Sequence, residues 1–393
     1  MRRAVAVALS AAALFSPRPA LAQKFTAESL AALEARTQTD SEDADLHYRL
    51  GLAYWDKKRY PDAQRELQAA VAIDPQYAPA YLALGGLSFA THPKLEEQAE
   101  KGRISTELRP AFDSAQRTIR RAFLINPMAD YRIPGSEPPT DQQITIGDYG
   151  AFTTFVLLVI GINSYSYGHY ETAYSALNHY IERRYRNQPR DSVPNSILML
   201  RGLSAAQLQQ ADTALSDFKT LLDRSVAHEK GDSLVFIPLQ TNDYRYLIAL
   251  VEQRAHRYVN AIRDYQEALS NDLGLYMAHV QLARIYEQNK VWTQAIEEAQ
   301  RALQVEPDDA SLQRQLGVIL VEAGQAQAGD SVLRAAMVVN PRDPEIPYRL
   351  AYADLTLQRP ADAKAAFARF LALAPSSWDR SVADAKAQLA KLP

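Results

Sequence analysis

The sequence predicts an all-α fold, a right-handed α-solenoid built from helix–turn–helix repeats. From Ala44 onward alanine, leucine and glutamine are common and runs of β-branched residues are scarce, which favours helix over strand. Small residues recur every 34 positions, at Ala261, Ala295, Gly329 and Ala363. Prolines keep the same step, at Pro307, Pro341 and Pro375. A fixed period of this length predicts a stack of similar units.

The same pattern opens the helical region. Leu50 and Gly51 are followed by Tyr54, Ala63 and Pro75 at the offsets that the later units keep. A glycine on the first helix and an alanine on the second allow the two helices to approach closely, and the proline ends the second helix. Each unit leaves an apolar face that only a neighbouring unit can cover, so several units must stack.

A 34-residue period with these residues resembles the tetratricopeptide repeat, a helix–turn–helix unit. Eight units are predicted, of which the first, sixth and eighth match the pattern most closely. The units begin near Ala44, Ala78, Thr154, Asn195, Asn242, Tyr276, Ala310 and Pro344.

The repeats and their interruptions predict the domain organisation. In order, we expect a signal peptide at 1–22, an N-terminal capping helix at 23–43, repeat units at 44–127 with an insertion at 91–110, a turn-rich connection at 128–150, degenerate units at 151–227, a loop insertion at 228–241, four regular units at 242–377 and a C-terminal capping helix at 378–393. The connection at 128–150 is rich in proline and glycine and is the expected boundary if the units form two stacks. One continuous solenoid is the alternative.

The N-terminus predicts export. Arg2 and Arg3 precede an apolar run from Ala4 to Phe15, and Ala20-Leu21-Ala22 has the small-x-small pattern of a cleavage site. An uncleaved membrane anchor is the alternative, but this run is shorter than the roughly 20 apolar residues that cross a bilayer. We therefore expect cleavage after Ala22, a periplasmic or secreted protein, and no transmembrane segment after cleavage.

Composition and motifs argue against several classes of chemistry. The chain contains no cysteine, which excludes disulfides, thiol catalysis and thiolate metal sites. Its formal net charge of −3 offers no general attraction for nucleic acid. No catalytic or nucleotide-binding motif occurs, and the seven histidines are scattered. We expect no catalytic residues, no metal and no cofactor.

The resemblance implies a binding surface. In tetratricopeptide repeat proteins the first helices line a concave groove that holds peptides or partner helices. The corresponding residues are mostly aromatic or aliphatic, as at interface centres: Tyr48, Leu52, Trp55, Leu82, Phe89, Leu158, Tyr165, Tyr246, Arg284, Glu287, Tyr348 and Tyr352. The alternative is that the aromatic residues pack between units. Tyr48 and Leu52 replace the lysine and asparagine with which family members clamp chaperone tails, so that activity is not expected.

These observations favour an exported scaffold that binds a protein or peptide segment, with assembly of an envelope or secretion complex as one form of that function. The alternative is an enzyme, or an enzyme's accessory domain, with a site built from the loop insertions. A polar constellation converging in one place would favour the enzyme, and the sequence contains none. The pattern does not predict the partner's identity or the oligomeric state.

Overall fold

The computed structural model describes residues 29–92, 94–95, 98, 104–128, 154–166, 168–189, 192–228, 239–375 and 378–392. The predicted signal peptide, nearly all of the 128–150 connection and most of the 228–241 insertion lie outside these ranges. The described residues contain eighteen helices and no strand, which confirms the all-α repeat fold. Within the same ranges, no helix combines the length and the apolar character needed to cross a bilayer.

The helices follow one another as eight pairs, α2 to α17, with α1 before them and α18 after them. Their bounds are α1 Leu30–Thr39, α2 Ala44–Asp56, α3 Tyr60–Ile73, α4 Ala78–Thr91, α5 Arg109–Ile125, α6 Thr154–Ser166, α7 Tyr170–Arg184, α8 Asn195–Gln207, α9 Ala211–His228, α10 Thr241–Arg254, α11 Tyr258–Asn271, α12 Tyr276–Gln288, α13 Trp292–Val305, α14 Ala310–Glu322, α15 Ala326–Val339, α16 Glu345–Thr356, α17 Pro360–Leu373 and α18 Asp379–Leu389.

Glycines on the first helices set the close approach within the pairs. A β-carbon on Gly51 would lie 2.8 Å from Leu67 Cγ, which is too close for any real side chain. The same relation joins the first and second helices of later pairs, at Gly161 with Leu177, Gly202 with Phe218, and Gly317 with Leu333. The periodic small residues of the sequence therefore mark the points where paired helices touch.

The turn inside a pair places one residue in the left-handed region of backbone conformation. Two of these residues are Gly168 and Gly324, with φ of 73° and 82°. In five further pairs a residue other than glycine takes this conformation, with φ between 56° and 59°, at Lys58, Gln209, His256, Lys290 and Gln358. Left-handed backbone is unfavourable for residues other than glycine, so the packing of the two helices imposes this turn.

Contacts between helices divide the chain into two compact units. The first unit comprises Tyr81–Asn271, and the second combines Leu30–Ala80 with Asp272–Pro393. The division differs from the expected boundary at 128–150, because the helices on both sides of that segment belong to the first unit. The reason lies in contacts between residues far apart in the sequence.

In the first unit, α5 is joined to α10. The Arg120 guanidinium donates to both carboxylate oxygens of Asp243, at 3.0 and 2.8 Å. The Tyr246 hydroxyl donates to the backbone carbonyl of Leu124 at 2.8 Å. These bonds bring the second and fifth helix pairs together although more than a hundred residues separate them.

In the second unit, the first helix pair contacts the turn between α15 and α16. The Asn340 side-chain nitrogen donates to the carbonyls of Ala72 and Ile73, each at 3.1 Å. Arg342 binds the Glu42 carboxylate at 2.6 Å and the Ser41 carbonyl at 2.8 Å. We call this contact, between residues 41–42 and 72–73 on one side and 340–342 on the other, the terminal seam.

Candidate partner-binding surface

Three of the predicted groove residues are buried. Tyr246 has no exposed surface, and Tyr48 and Leu52 keep only 5 % and 6 % of theirs. The Tyr48 ring packs edge-on against Tyr77, with centroids 5.5 Å apart. The Tyr246 hydroxyl donates to the backbone carbonyl of Leu124. The prediction that these residues line an open groove is wrong, because neighbouring elements cover them.

Three more predicted residues pack within the first unit. Phe89 lies edge-on to Phe112 at 6.5 Å, in the small cluster between α4 and α5. Leu158 and Tyr165 pack against the main core of that unit. All three side chains are half-buried, and the Phe89 contact lies within a single helix pair, so packing between repeat units and a role in a groove both stay predictions.

Two predicted residues keep a partly accessible side chain without a described polar or aromatic contact. Trp55, near the end of α2, and Leu82, on α4, are both half-buried. Their role in binding stays a prediction.

The C-terminal helix α18 contacts the two tyrosines that were predicted to line the groove in the last repeat. The Tyr348 hydroxyl donates to Asp384 Oδ2 at 2.7 Å, and the Tyr352 hydroxyl donates to the same oxygen. These two hydrogen bonds lower the pKa of the Asp384 carboxyl, with the bond from Tyr352 the larger cause. The hydroxyls therefore hold α18 on α16 and are not free to bind a partner.

The two charged residues of the prediction lie on an accessible polar surface. Arg284 is exposed and Glu287 is half-buried, both on α12. Glu322 on α14 and Arg349 on α16 lie within electrostatic range of Glu287. These four side chains come from the first helices of three successive pairs, and we call them the first-helix patch.

The patch contains charges that are not neutralised by hydrogen bonds. Burial, and then repulsion from Glu322, raise the pKa of the Glu287 carboxyl, while Arg284 and Arg349 oppose this effect. Arg349 is paired with Glu345 of its own helix at 3.0 Å. Among the described residues, the side chains of Arg284, Glu287 and Glu322 form no hydrogen bond or ion pair. The arrangement can therefore bind a segment that brings complementary charge.

Sequence reasoning missed Glu322 and Arg349. Advancing one period of 34 residues from Glu287 reaches Val321, and Glu322 is the next residue. Arg349 directly follows the predicted Tyr348. Neighbouring residues on a helix point about 100° apart, so a one-residue offset separates an accessible side chain from one that packs inward.

Two histidine–glutamate pairs occupy equivalent positions in two helix pairs. His47 Nδ1 lies 2.8 Å from Glu66 Oε2, and His279 Nδ1 lies 2.6 Å from Glu298 Oε2. All four side chains are buried, so neither pair faces solvent. In the described part of the chain, no group of three or more histidines and carboxylates could hold a metal ion.

The first unit also contains an open cleft of about 610 Å³ beside the end of α7 and the start of α8. Its lining includes Tyr185, Arg186 and Arg201. Arg201 binds both oxygens of Asp217, at 2.9 and 2.6 Å, and Asn178 at 2.9 Å. These bonds occupy its guanidinium, so the cleft offers a ligand less charge than its composition suggests.

Comparison with protein families finds the tetratricopeptide repeat twice. One family model matches residues 44–77, which span α2 and α3, and a second matches residues 246–311. Comparison with curated proteins found no significant match.

Many solved structures are similar. A tetratricopeptide repeat protein from Parabacteroides merdae is 14 % identical, with 77 % of this chain and 98 % of that chain covered and a TM-score of 0.39. The C-terminal part of a repeat-containing protein from Cytophaga hutchinsonii is 14 % identical, with coverage of 61 % and 87 % and a TM-score of 0.47. A thermophilic repeat protein from Thermus thermophilus is 21 % identical, with coverage of 61 % and 100 % and a TM-score of 0.27.

These scores lie below 0.5, so the assignment rests on the two family matches and on the repeated helix pairs. The matched segments contain the close glycine contact of α2 with α3 and the left-handed turn residues Lys58, His256 and Lys290. Equivalent turns and contacts recur in the pairs outside the matched segments. The chain therefore contains tetratricopeptide repeats, within an all-α fold of repeated helix pairs.

Proposed function

We propose that the protein is an exported interaction scaffold that binds an extended segment of a partner protein at the first-helix patch. One observation carries this proposal: Arg284 and Glu287 are accessible, charged and without hydrogen-bond partners among the described residues. Unpaired charges on the first helices of two successive pairs, α12 and α14, favour a partner that supplies the missing contacts.

The patch suggests a different partner from the one that an aromatic groove would bind. Arg284 offers a fork of donors to a carboxylate, and the Glu287–Glu322 side repels negative charge and attracts a cation. A partner segment with an acidic and a basic side chain a short distance apart would match both the Arg284 guanidinium and the Glu287–Glu322 carboxylates. Binding should therefore weaken at high salt, because partly exposed charges are screened.

Peptide selection tests the proposal. Peptides would be selected from a random displayed library on the full mature chain, and their affinity measured by fluorescence anisotropy. Arg284→Ala combined with Glu287→Ala should lower the affinity for the selected peptides about tenfold or more, which corresponds to roughly 1.4 kcal/mol of binding free energy. The matched control is Glu297→Ala with Gln300→Ala, because both residues are exposed on α13, the second helix of the same pair.

Equal affinities for the two double variants would contradict the proposal. Failure to select any peptide whose affinity falls at high salt would contradict the proposal as well. Circular dichroism of both variants excludes unfolding as the cause of lost binding.

Export is proposed from residues 1–22, where a charged start, an apolar run and Ala20-Leu21-Ala22 follow in order. N-terminal sequencing of the protein recovered from the periplasm or medium should begin at Gln23. Recovery of the protein in the cytoplasm with Met1 intact would contradict export.

A further inference from the structure

A histidine beside the terminal seam, His47, has two ring nitrogens that both face hydrogen-bond acceptors. His47 Nδ1 lies 2.8 Å from Glu66 Oε2, and Nε2 lies 3.1 Å from the carbonyl oxygen of Ser41. A neutral imidazole carries one N–H group and can donate to one acceptor only. Both contacts are hydrogen bonds when the ring is protonated and carries two N–H groups.

The Ser41 carbonyl also belongs to the contact with the turn after α15. Arg342 Nη2 donates to this carbonyl at 2.8 Å, and Arg342 Nε binds Glu42 at 2.6 Å. The position of the Ser41 carbonyl therefore links the protonation of His47 to the contact that Arg342 makes across the seam.

The equivalent pair of the sixth repeat provides an internal comparison. His279 Nδ1 lies 2.6 Å from Glu298 Oε2, with the same separation of 19 residues as in His47 and Glu66. His279 Nε2 makes no hydrogen bond to the described residues. A neutral imidazole satisfies this pair, so His279 has no second contact that depends on a proton.

Other charged groups surround the seam. On α3, Arg65 binds the other carboxylate oxygen of Glu66 at 3.0 Å. Other charged groups on the elements that meet here include Glu34 and Arg36 on α1, Asp40, Glu42 and Asp43 in the following turn, Asp45, Arg49 and Asp56 on α2, Asp62 on α3, and Arg342.

Two carboxyls near the seam also respond to pH. Burial raises the pKa of Asp74 and of Asp343, and the nearby Arg314 opposes this effect in both cases. A carboxyl whose pKa is raised in the folded chain stabilises that state increasingly as the pH falls through the raised value. An experiment must therefore separate the contribution of His47 from theirs.

We propose that the terminal seam is a proton-dependent switch in which protonated His47 holds the first repeat against the 340–342 turn. When the ring loses a proton and keeps Nδ1–H on Glu66, the Nε2 lone pair faces the lone pairs of the Ser41 carbonyl. This repulsion displaces the carbonyl and weakens its bond with Arg342. Histidine is the side chain that ordinarily changes charge between about pH 5 and pH 8.

Spin-label distance measurements on the full mature chain test the switch. The chain has no cysteine, so Gln64→Cys on α3 and Ala335→Cys on α15 provide two exposed labelling sites. We expect one narrow distance distribution at about pH 6 and a broader, longer distribution at about pH 8.5.

Variants identify the group responsible. His47→Gln should give the same distribution at both pH values, since glutamine does not change charge in this range. His47→Lys keeps a cation at both pH values and should keep the narrow distribution. His279→Gln should behave like the unsubstituted chain, and circular dichroism checks that each variant is folded.

A distribution that does not change with pH in the unsubstituted chain would overturn the proposal. A pH response that persists in His47→Gln would overturn it as well, and would assign the response to Asp74 and Asp343. These outcomes do not depend on whether the first-helix patch binds a partner.

Discussion

Single residues decide how closely the helices of a pair approach. Gly51 and Leu67 show the rule, because the position of a missing β-carbon is 2.8 Å from a leucine side chain. The sequence predicts such contacts because the glycine and its partner recur at fixed offsets. The sequence does not predict ion pairs as well. Asp217 is fully buried and pairs with Arg201, which is 11 % exposed, and no periodic feature of the sequence indicates this pair.

Substitution of Gly51 should test the helix contact. Gly51→Ala forces a methyl group against Leu67 and should destabilise the second unit by about 1–3 kcal/mol through overpacking. Gly274→Ala is the control, because its β-carbon would meet only the end of the Asp272 side chain, and it should change stability by less than about 0.5 kcal/mol. Urea denaturation gives both values. Equal losses of stability in the two variants would contradict a close helix contact at Gly51.

The Arg201–Asp217 pair should contribute far more than an exposed pair of the same type. Asp217→Ala leaves the Arg201 guanidinium buried without its counter-charge and should cost about 3–5 kcal/mol. Asp212→Ala breaks the Arg257–Asp212 pair, in which Asp212 is 86 % exposed, and should cost less than about 1 kcal/mol. Similar unfolding midpoints for the two variants would contradict the assigned burial.

At the scale of elements, the terminal helix α18 covers the last repeat. Its Ala385 has no exposed surface and packs in a cluster with Phe367 and Phe370. The sequence predicts a capping helix here, and the resemblance places the two tyrosines of α16 in a groove, whereas the structure places their hydroxyls against α18. Periodicity identifies the face on which a side chain lies, and it does not reveal which later element covers that face.

The docking of α18 should depend on pH through Asp384. Because hydrogen bonds from Tyr352 and Tyr348 lower its pKa, the carboxylate contributes stability above the ordinary aspartate range. That contribution should be lost as the pH falls through the lowered value. Asp384→Asn should therefore lower the thermal midpoint at about pH 7 and have a smaller effect at about pH 3, below the ordinary aspartate pKa.

The double variant Tyr348→Phe with Tyr352→Phe removes the same hydrogen bonds from the other side. It should reproduce the behaviour of Asp384→Asn in thermal unfolding followed by circular dichroism. An equal loss of stability at both pH values in Asp384→Asn would show that the carboxylate charge is not involved.

At the scale of the molecule, long-range contacts decide which repeats belong together. The period predicts eight helix pairs, and it predicts contacts only between neighbours along the chain. The bonds of Asn340 with Ala72 and Ile73 join residues about 270 positions apart. Asparagine after a helix is an ordinary C-terminal residue, so nothing in the local sequence indicates this second role.

Asn340→Ala should therefore change the dynamics of α3. The substitution removes both hydrogen bonds, and the loss of each is worth about 1 kcal/mol, so amide hydrogen exchange near Ala72 and Ile73 should accelerate by about fivefold or more. Asn289→Ala removes a local bond with the Ile285 carbonyl at 2.7 Å and should leave α3 unchanged. Unchanged exchange at the end of α3 in Asn340→Ala would contradict the terminal seam.

Photo-crosslinking tests most directly the central claim that the first-helix patch binds the partner. A photoreactive amino acid would replace Glu287 in the full-length chain expressed in its native host, and a matched chain would carry it at Glu297 on α13. We expect a discrete covalent adduct with another protein at position 287 that disappears when Arg284→Ala is added. Adducts of equal yield at both positions, or an adduct at position 297 alone, would contradict the claim.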